Sequence, residues 1–375
     1  MYKTRITFSY FKPFLYRSFS SSFSSSSFTS STMTLKKERV CIIGSGNWGT
    51  TIAKIIGENV QRHNQLFEQE IRQWVFEEDY QGQPLTRVIN TTRENPKYLA
   101  GIRLPDNIIA EPDLIKACRD ATVLVFVLPH QFVRGVCDDL VTSSFSPDTK
   151  AISLIKGLDI KPNGITLFSE EIGRRLHLKD VAVLSGANIA SEVAQEHFCE
   201  TTIGSRADGQ LFYQLFNTPY FRVNVIRDYV GVELCGALKN VVAVAAGISD
   251  GLDYGSNTKA ALIRIGLMEM RKFGKSFFGG VEDNTFFESC GVADLMTTCS
   301  GGRNRKVAEA FARTGKPMDV LEKELLNGQK LQGVLTAAEV YQFLTARKMN
   351  HEFPLFDAVY RIIYQGAPLD TLIKL

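Results

Sequence analysis

Val40-Cys-Ile-Ile-Gly-Ser-Gly-Asn-Trp-Gly49 is the stretch whose reading decides the fold. Four apolar residues, Val40 to Ile43, form a short buried strand in this reading. Gly44, Gly46 and Gly49 follow in the spacing G-x-G-x-x-G, and Thr50, Thr51, Ile52, Ile55 and Ile56 then fall into helical period. Strand, glycine turn and helix in that order suit a dinucleotide pyrophosphate. The first glycine makes the tight turn, the second lets phosphate approach the backbone, and the third lets helix and strand pack closely. Free N–H groups and the dipole at the helix start favour the anion. The bland alternative is an ordinary glycine-rich turn; the flanking strand and helix argue against it.

Outward from this stretch, strands and helical segments alternate from Leu35 to Ile226. Strands are expected at residues 71–76, 108–110, 121–128, 151–154, 181–184, 200–203 and 221–226. Residues 121–128 are almost wholly apolar, as in a parallel strand covered on both faces. Phe132, Val133, Val136, Cys137, Leu140 and Val141 make an amphipathic helix. Repeated βα units imply an α/β fold, a Rossmann-type doubly wound sheet with right-handed crossovers. After Arg227 the pattern is helical only, with helices at 230–248, 257–278, 336–348 and 354–364. The expected organisation is a Ser-rich basic leader at 1–32, a dinucleotide-binding domain at 35–226 and an all-α domain at 227–375.

Composition narrows the class. With 44% hydrophobic and 22% charged residues the chain reads as soluble and globular. The net charge of +3 comes from the leader: without Lys3, Arg5, Lys12 and Arg17 the remainder carries −1, so no basic field for nucleic acid exists. No apolar run approaches the roughly 20 residues of a membrane span. The seven cysteines show no C-x-x-C pair and the five histidines are dispersed; a reducing compartment and no metal centre are expected. The leader holds eleven serines and no acid. It fits a mitochondrial transit peptide, a leader without address, or untranslated sequence upstream of a start at Met33, which would give a cytosolic form.

After the second strand come Phe76-Glu-Glu-Asp79. Acids here repel a 2′-phosphate and favour NAD over NADP. Glu77 lies 28 residues beyond Gly49, farther than the usual spacing for a ribose ligand of about 20. For the chemistry, His130 sits just past a strand, where a turn role is at least as fitting. Lys156 ends a strand at its carboxyl end, where open α/β sheets place ligands. Lys239 interrupts an apolar helix beside Ala237, Leu238, Val241 and Val242; buried near another cation, such an amine has its pKa lowered toward proton transfer. Asn240 adds a neutral hydrogen-bonding group. Thr297-Thr-Cys-Ser-Gly-Gly-Arg-Asn-Arg305 puts two glycines before a helix that closes at Gly315. Arg303 and Asn304 in its first turn oppose the helix dipole unless an anion is bound there, which points to phosphate.

With these residues in place, the chain from Val40 onward resembles the eukaryotic NAD-dependent glycerol-3-phosphate dehydrogenases. The resemblance rests on Gly-Ser-Gly-Asn-Trp-Gly, Trp-Val-Phe-Glu-Glu, Pro-His-Gln-Phe, Gly-Ala-Asn-Ile-Ala, Ala-Leu-Lys-Asn-Val-Val-Ala, Gly-Gly-Arg-Asn-Arg and Lys-Leu-Gln-Gly. It implies reversible reduction of dihydroxyacetone phosphate by NADH to sn-glycerol 3-phosphate, by a homodimer. It implies that Lys239 exchanges the proton at the C2 oxygen, that Asp294 orients Lys239, and that Lys156, Asn240 and Thr298 line the substrate. Arg303 and Asn304 would hold the phosphate, Arg303 also reaching the cofactor. Gly44, Ser45, Gly46, Asn47, Trp48 and Gly49 would cradle the pyrophosphate, Phe76 and Phe132 would pack against the dinucleotide, and Ala190 would touch it. Lys330 and Gln332 belong to a closing segment. Ser256 stands where relatives often have Asp, near the site. Rival readings are a 3-hydroxyacyl or 6-phosphogluconate type dehydrogenase and a non-catalytic NAD-sensing module.

Overall fold

Eight strands pair into one sheet: β1 (Val40–Ile43), β2 (Ile71–Trp74), β3 (Ile108–Glu111), β4 (Val123–Phe126), β5 (Lys150–Ser153), β6 (Val181–Ser185), β7 (Cys199–Gly204) and β8 (Phe221–Ile226). The computed structural model describes residues 36–143, 145–326 and 330–375; the leader expected at 1–32 lies outside them. The sheet order is β8-β7-β6-β5-β4-β1-β2-β3. From β3 to β6 all pairs are parallel, and the 3-2-1-4-5-6 order reverses between β1 and β4, where such sheets open a ligand crevice. The alternating pattern did not reveal that β7 runs antiparallel to β6 while β8 pairs parallel with β7. It also missed two hairpins, Asp79–Tyr80 with Gln83–Pro84 and Asp159–Lys161 with Gly164–Thr166. Arms of two or three residues are too short to show a period.

Strand alternation sends Val40 and Ile42 to one face, against Ile52, Ile55 and Ile56 of α1 (Asn47–Arg62). Cys41 and Ile43 go to the other, against Val133, Val136, Cys137 and Leu140. After Ile226 the described residues contain helices but no strand. These include α2 (Tyr229–Gly251), α3 (Gly255–Phe277), α4 (Asp294–Gly301), α5 (Arg303–Thr314), α6 (Met318–Leu326), α7 (Gln332–Thr345) and α8 (Pro354–Gln365).

The long helix α2 is the axis of the helical part, starting at Asp228, whose carboxylate accepts from Gly231 N at 2.7 Å. Residues 230–249 are all buried. By length and apolar composition α2 is itself adequate for a membrane span, a property that Lys239 and Asn240 hide from a search for unbroken apolar runs; its most apolar window is entirely covered by protein. Gly247 lets α5 approach, since a Cβ there would lie 2.2 Å from Arg305 O. The core around α2 takes in Leu158, Ile160, Leu167 and Val183 from the sheet region, and residues 37–375 form a single compact unit.

Candidate active site

The glycine loop closes β1 into α1 with a different constraint at each glycine. Gly44 has φ +122, and a Cβ there would sit 2.3 Å from Val127 O; a Cβ on Gly49 would sit 2.5 Å from Gly44 O. Gly46 is different: no atom lies within 4 Å of its Cβ position. Gly46 also caps α1 without a side-chain bond, and the first turn carries no acid. The open space thus faces uncapped N–H groups and the positive end of a sixteen-residue helix, as a pyrophosphate requires. Two buried amides that sequence reasoning missed hold this loop. Gln73 donates to Gly44 O at 2.9 Å, and Asn95 donates to Ser45 O and Thr50 Oγ1, each at 2.9 Å. Thr50 Oγ1 in turn donates to Ser45 O. The only sequence signal was the Asn95-Pro96 turn pair, which says nothing about its partners.

Around the loop, Phe76 is 69% exposed and Phe132 is 56% exposed. Ala190 opens a short helix and accepts at its carbonyl from Thr51 Oγ1 of α1 at 3.1 Å. Asn47 O takes the same hydroxyl at 3.0 Å. The Trp48 ring packs against the core of the sheet, 6.1 Å from that of Phe221. The acids after β2 are spent locally. Glu77 caps the helix Leu85–Thr92 through Thr86 N at 3.1 Å and Thr86 Oγ1 at 2.5 Å; Glu78 binds Lys97 and Tyr98; Asp79 accepts from Gly82 N. The ribose role considered for Glu77 therefore gives way to a capping role.

The chemistry-bearing residues converge on one carboxylate. Asp294 Oδ1 lies 2.5 Å from Lys239 Nζ, and Asp294 Oδ2 lies 3.0 Å from Lys156 Nζ. Lys239 also donates to Thr298 Oγ1 at 2.7 Å, and Lys156 to Gly186 O at 3.3 Å. Lys156 comes from the loop beyond the carboxyl end of β5. Lys239 comes from the middle of α2, and Asp294 from the first residue of α4, after a π-helical turn, Ser289–Ala293. Lys239 is 5% exposed and Asp294 3%. Burial lowers the Lys239 amine to about 8; Asp294 opposes this and Lys156 adds to it. Burial alone would push the Asp294 carboxyl up, but the two ammonium groups outweigh it and hold it low. Each ammonium has three donors and uses two on the protein, leaving one for a substrate oxygen. His130 is not bonded to this carboxylate: its ring packs on Phe168 at 5.5 Å, and burial lowers its pKa.

One turn beyond Thr298, Gly302 caps α5 without a side-chain bond, and no acid occupies the first turn. Arg303 is exposed at that end. Asn304 is buried and linked to Asn240, so the α5 N-terminus is fixed beside the residue that follows Lys239. Lys330, just before α7, pairs with Glu322 at 2.8 Å, and Gln332, the first residue of α7, bonds Thr336 at 3.1 Å. Ser256, at the start of α3, takes no part in the lysine–aspartate cluster.

Comparison with known proteins agrees over both halves. The family model for the NAD-dependent glycerol-3-phosphate dehydrogenase N-terminus matches residues 39–210, and that for the C-terminus matches residues 228–374. The chain is 56% identical over 342 residues to the cytoplasmic glycerol-3-phosphate dehydrogenase [NAD(+)] of Homo sapiens, covering 90% of this chain and 97% of that one. It is 54% identical over 339 residues to the glycerol-3-phosphate dehydrogenase 1-like protein of Xenopus tropicalis, covering 90% and 96%. Among solved structures, glycerol-3-phosphate dehydrogenase from Saccharomyces cerevisiae superimposes with a TM-score of 0.87 at 45% identity, covering 90% of this chain and 99% of that one. The Plasmodium falciparum enzyme gives 0.86 at 40%, covering 90% and 94%. The dinucleotide cradle, the buried lysine pair and these matches lead to one conclusion: the chain belongs to the NAD-dependent glycerol-3-phosphate dehydrogenase family.

Proposed function

We propose that the chain interconverts dihydroxyacetone phosphate and sn-glycerol 3-phosphate, with Lys239 as general acid in reduction and general base in oxidation. The observation that carries this reading is the Asp294 carboxylate, which holds Lys239 on one oxygen and Lys156 on the other inside the protein. An amine lowered to about 8 is available in both protonation states near neutral pH. Asp294 and Thr298 hold its nitrogen in place and leave a donor for the C2 oxygen. Lys156 supplies a second positive charge where negative charge develops in the transition state.

Phosphate binds at the uncapped start of α5 through Arg303, with Asn304 and Asn240 beside it. Ser45, Gly46, Asn47 and Gly49 hold the NAD pyrophosphate, Phe76, Phe132 and Ala190 flank the dinucleotide, and Lys330 and Gln332 close over it. Bound NADH supplies hydride to C2. In this division residues 35–226 carry most of the cofactor site and lend Lys156 to the substrate, while residues 227–375 carry the rest of the substrate site and the segment that closes over the dinucleotide. A homodimer in the cytosol is the proposed working form; the human and mouse relatives are named cytoplasmic.

The test is NADH oxidation with dihydroxyacetone phosphate, by the wild type and by Lys239→Ala. Turnover by the wild type, lost in the variant while NADH still binds, is expected. No wild-type activity would favour the NAD-sensing reading, and activity only with 3-hydroxyacyl or 6-phosphogluconate substrates would favour the rival dehydrogenases. Light scattering of the purified chain reads the dimer. Imaging full-length fusions beside fusions starting at Met33 reads the location.

A further inference from the structure

The peptide group between Gly186 and Ala187 is held at both ends. Its carbonyl, Gly186 O, accepts from Lys156 Nζ at 3.3 Å, and its N–H, on Ala187, donates to Ser289 Oγ at 3.3 Å. A peptide group is planar and rigid, so what fixes its N–H also fixes the direction of its carbonyl. The Ser289 hydroxyl is itself anchored, donating to Glu200 O on β7 at 2.6 Å. Ser289 is buried at 7% exposure.

Ser289 also begins the π-helical turn Ser289–Ala293 that delivers Asp294. π-turns of this kind accumulate at functional sites because they re-aim the residue that follows. The turn has no slack: a Cβ on Gly291 would lie 2.3 Å from Phe286 O. A second stitch, Cys290 N to Thr202 Oγ1 at 3.3 Å, ties the same turn to β7 without involving the 186–187 peptide.

We propose that Ser289 is a positioning residue for the reaction, fixing the Lys156 ammonium relative to Asp294 through the Gly186–Ala187 peptide. Lys156 reaches the site from the sheet and Asp294 from the helices, and Ser289 is where the two supports meet. The antiparallel strand β7 acquires a role here, since it presents both Glu200 O and Thr202 to the turn. This inference rests on the roles proposed for Lys239 and Lys156. The charged groups facing Lys239 are Asp294, from α4, and Lys156, from the loop after β5. Loosening Lys156 removes a positive neighbour from Lys239.

The experiment measures kcat, KM for NADH and the pH profile of ketone reduction in Ser289→Ala, Ser289→Thr and Thr202→Val. Ser289→Ala removes two hydrogen bonds, and the one from Ala187 N, worth roughly 1 kcal/mol, is the one that reaches Lys156, so about five- to tenfold in kcat is expected to be lost. Its KM for NADH stays unchanged, and its basic limb moves to higher pH. Ser289→Thr, which keeps the hydroxyl, restores the rate. Thr202→Val keeps wild-type kcat and profile, because it cuts only the other stitch. Ser289→Cys, of similar size and a weak hydrogen bonder, replaces the alanine variant if that does not fold, with the same expectation. Wild-type kcat and profile in Ser289→Ala, or equal losses in Ser289→Ala and Thr202→Val, would overturn the proposal. An active Lys239→Ala would remove the catalytic reading beneath it. An inactive Lys239→Ala beside an unaffected Ser289→Ala would remove this inference alone.

Discussion

Asn304 donates from its side-chain nitrogen to Asn240 Oδ1 at 3.0 Å, and accepts at its own oxygen from Gly333 N at 2.9 Å. The amide at the start of α5 thus ties α2 to α7. Asn304→Asp replaces the donor by an acceptor facing Asn240 and adds negative charge where phosphate is proposed to bind. The expected outcome is a rise in KM for dihydroxyacetone phosphate of more than tenfold, with KM for NADH changed by less than about twofold, since a lost charge-assisted contact is worth roughly 1.5–3 kcal/mol. Steady-state kinetics in both substrates check it.

The glycine loop separates stability from binding. Gly46 has φ −63 and open space at its Cβ position, so Gly46→Ala folds with only a small loss in melting temperature, from its poorer capping of α1, and loses NADH affinity. Gly44→Ala places its methyl against Val127 O at positive φ, which costs stability before any ligand is added. Thermal melts together with NADH titration distinguish the two variants.

The pH dependence follows from Lys239. Its amine is depressed to about 8, and ketone reduction needs the protonated form. The kcat for reduction is therefore flat below that value and falls as pH rises through about 8. The kcat for alcohol oxidation rises over the same interval, because that direction needs the neutral amine. Profiles in the two directions with coincident midpoints are expected.

Two buried glutamates set a different pH response. Glu233 of α2 caps the helix Phe168–Leu176 through Phe168 N, Ser169 N and Ser169 Oγ, and Glu269 of α3 caps α8 through Leu355 N and Phe356 N. Burial pushes both carboxyls up to about 7, against the hydrogen bonds that favour the ionised form. Between about 4.5 and 7 the folded protein then binds more protons than the unfolded chain, so stability falls as pH rises through that window. For each carboxyl the shift is worth about 3 kcal/mol at most. Glu233→Gln keeps an acceptor for the backbone N–H groups and is expected to flatten this decline in denaturant melts at pH 5 and pH 8. Glu233→Ala loses the cap and is less stable at both.

Much of the fold was legible because its signals are local. All eight main strands and, in the C-terminal half, α2, α3, α5, α7 and α8 follow from apolar runs, glycine signals and helical period; the shorter α4 and α6 do not. What stayed hidden depends on pairing across the chain. Nothing local in residues 199–204 tells that β7 reverses direction, and two-residue hairpin arms carry no period. In the site, Lys156, Lys239, Arg303 and Asn304 announce themselves as charged or polar residues in apolar or glycine-rich settings. Their partners do not. Gln73 and Asn95 look like ordinary polar residues until the loop carbonyls they hold are seen, and Glu77 looks like a ribose ligand until Thr86 is seen to take both of its oxygens. The convergence of Lys156 and Lys239 on Asp294 spans 138 residues of chain from Lys156 alone, a separation that no local pattern encodes.

The packing of Leu158, Ile160, Leu167 and Val183 into the same core as α2 has an evolutionary consequence. A helical half that shares its interior with the sheet cannot be exchanged as a cassette between dinucleotide-binding scaffolds. Both of its seams would have to be recut at once, the oily one around Leu167 and the ionic one between Lys156 and Asp294. Diversification of such a chain toward other alcohols is therefore confined to side-chain edits made in place, at the mouth of α5 and along the exposed rim, while the two halves descend together as one heritable unit.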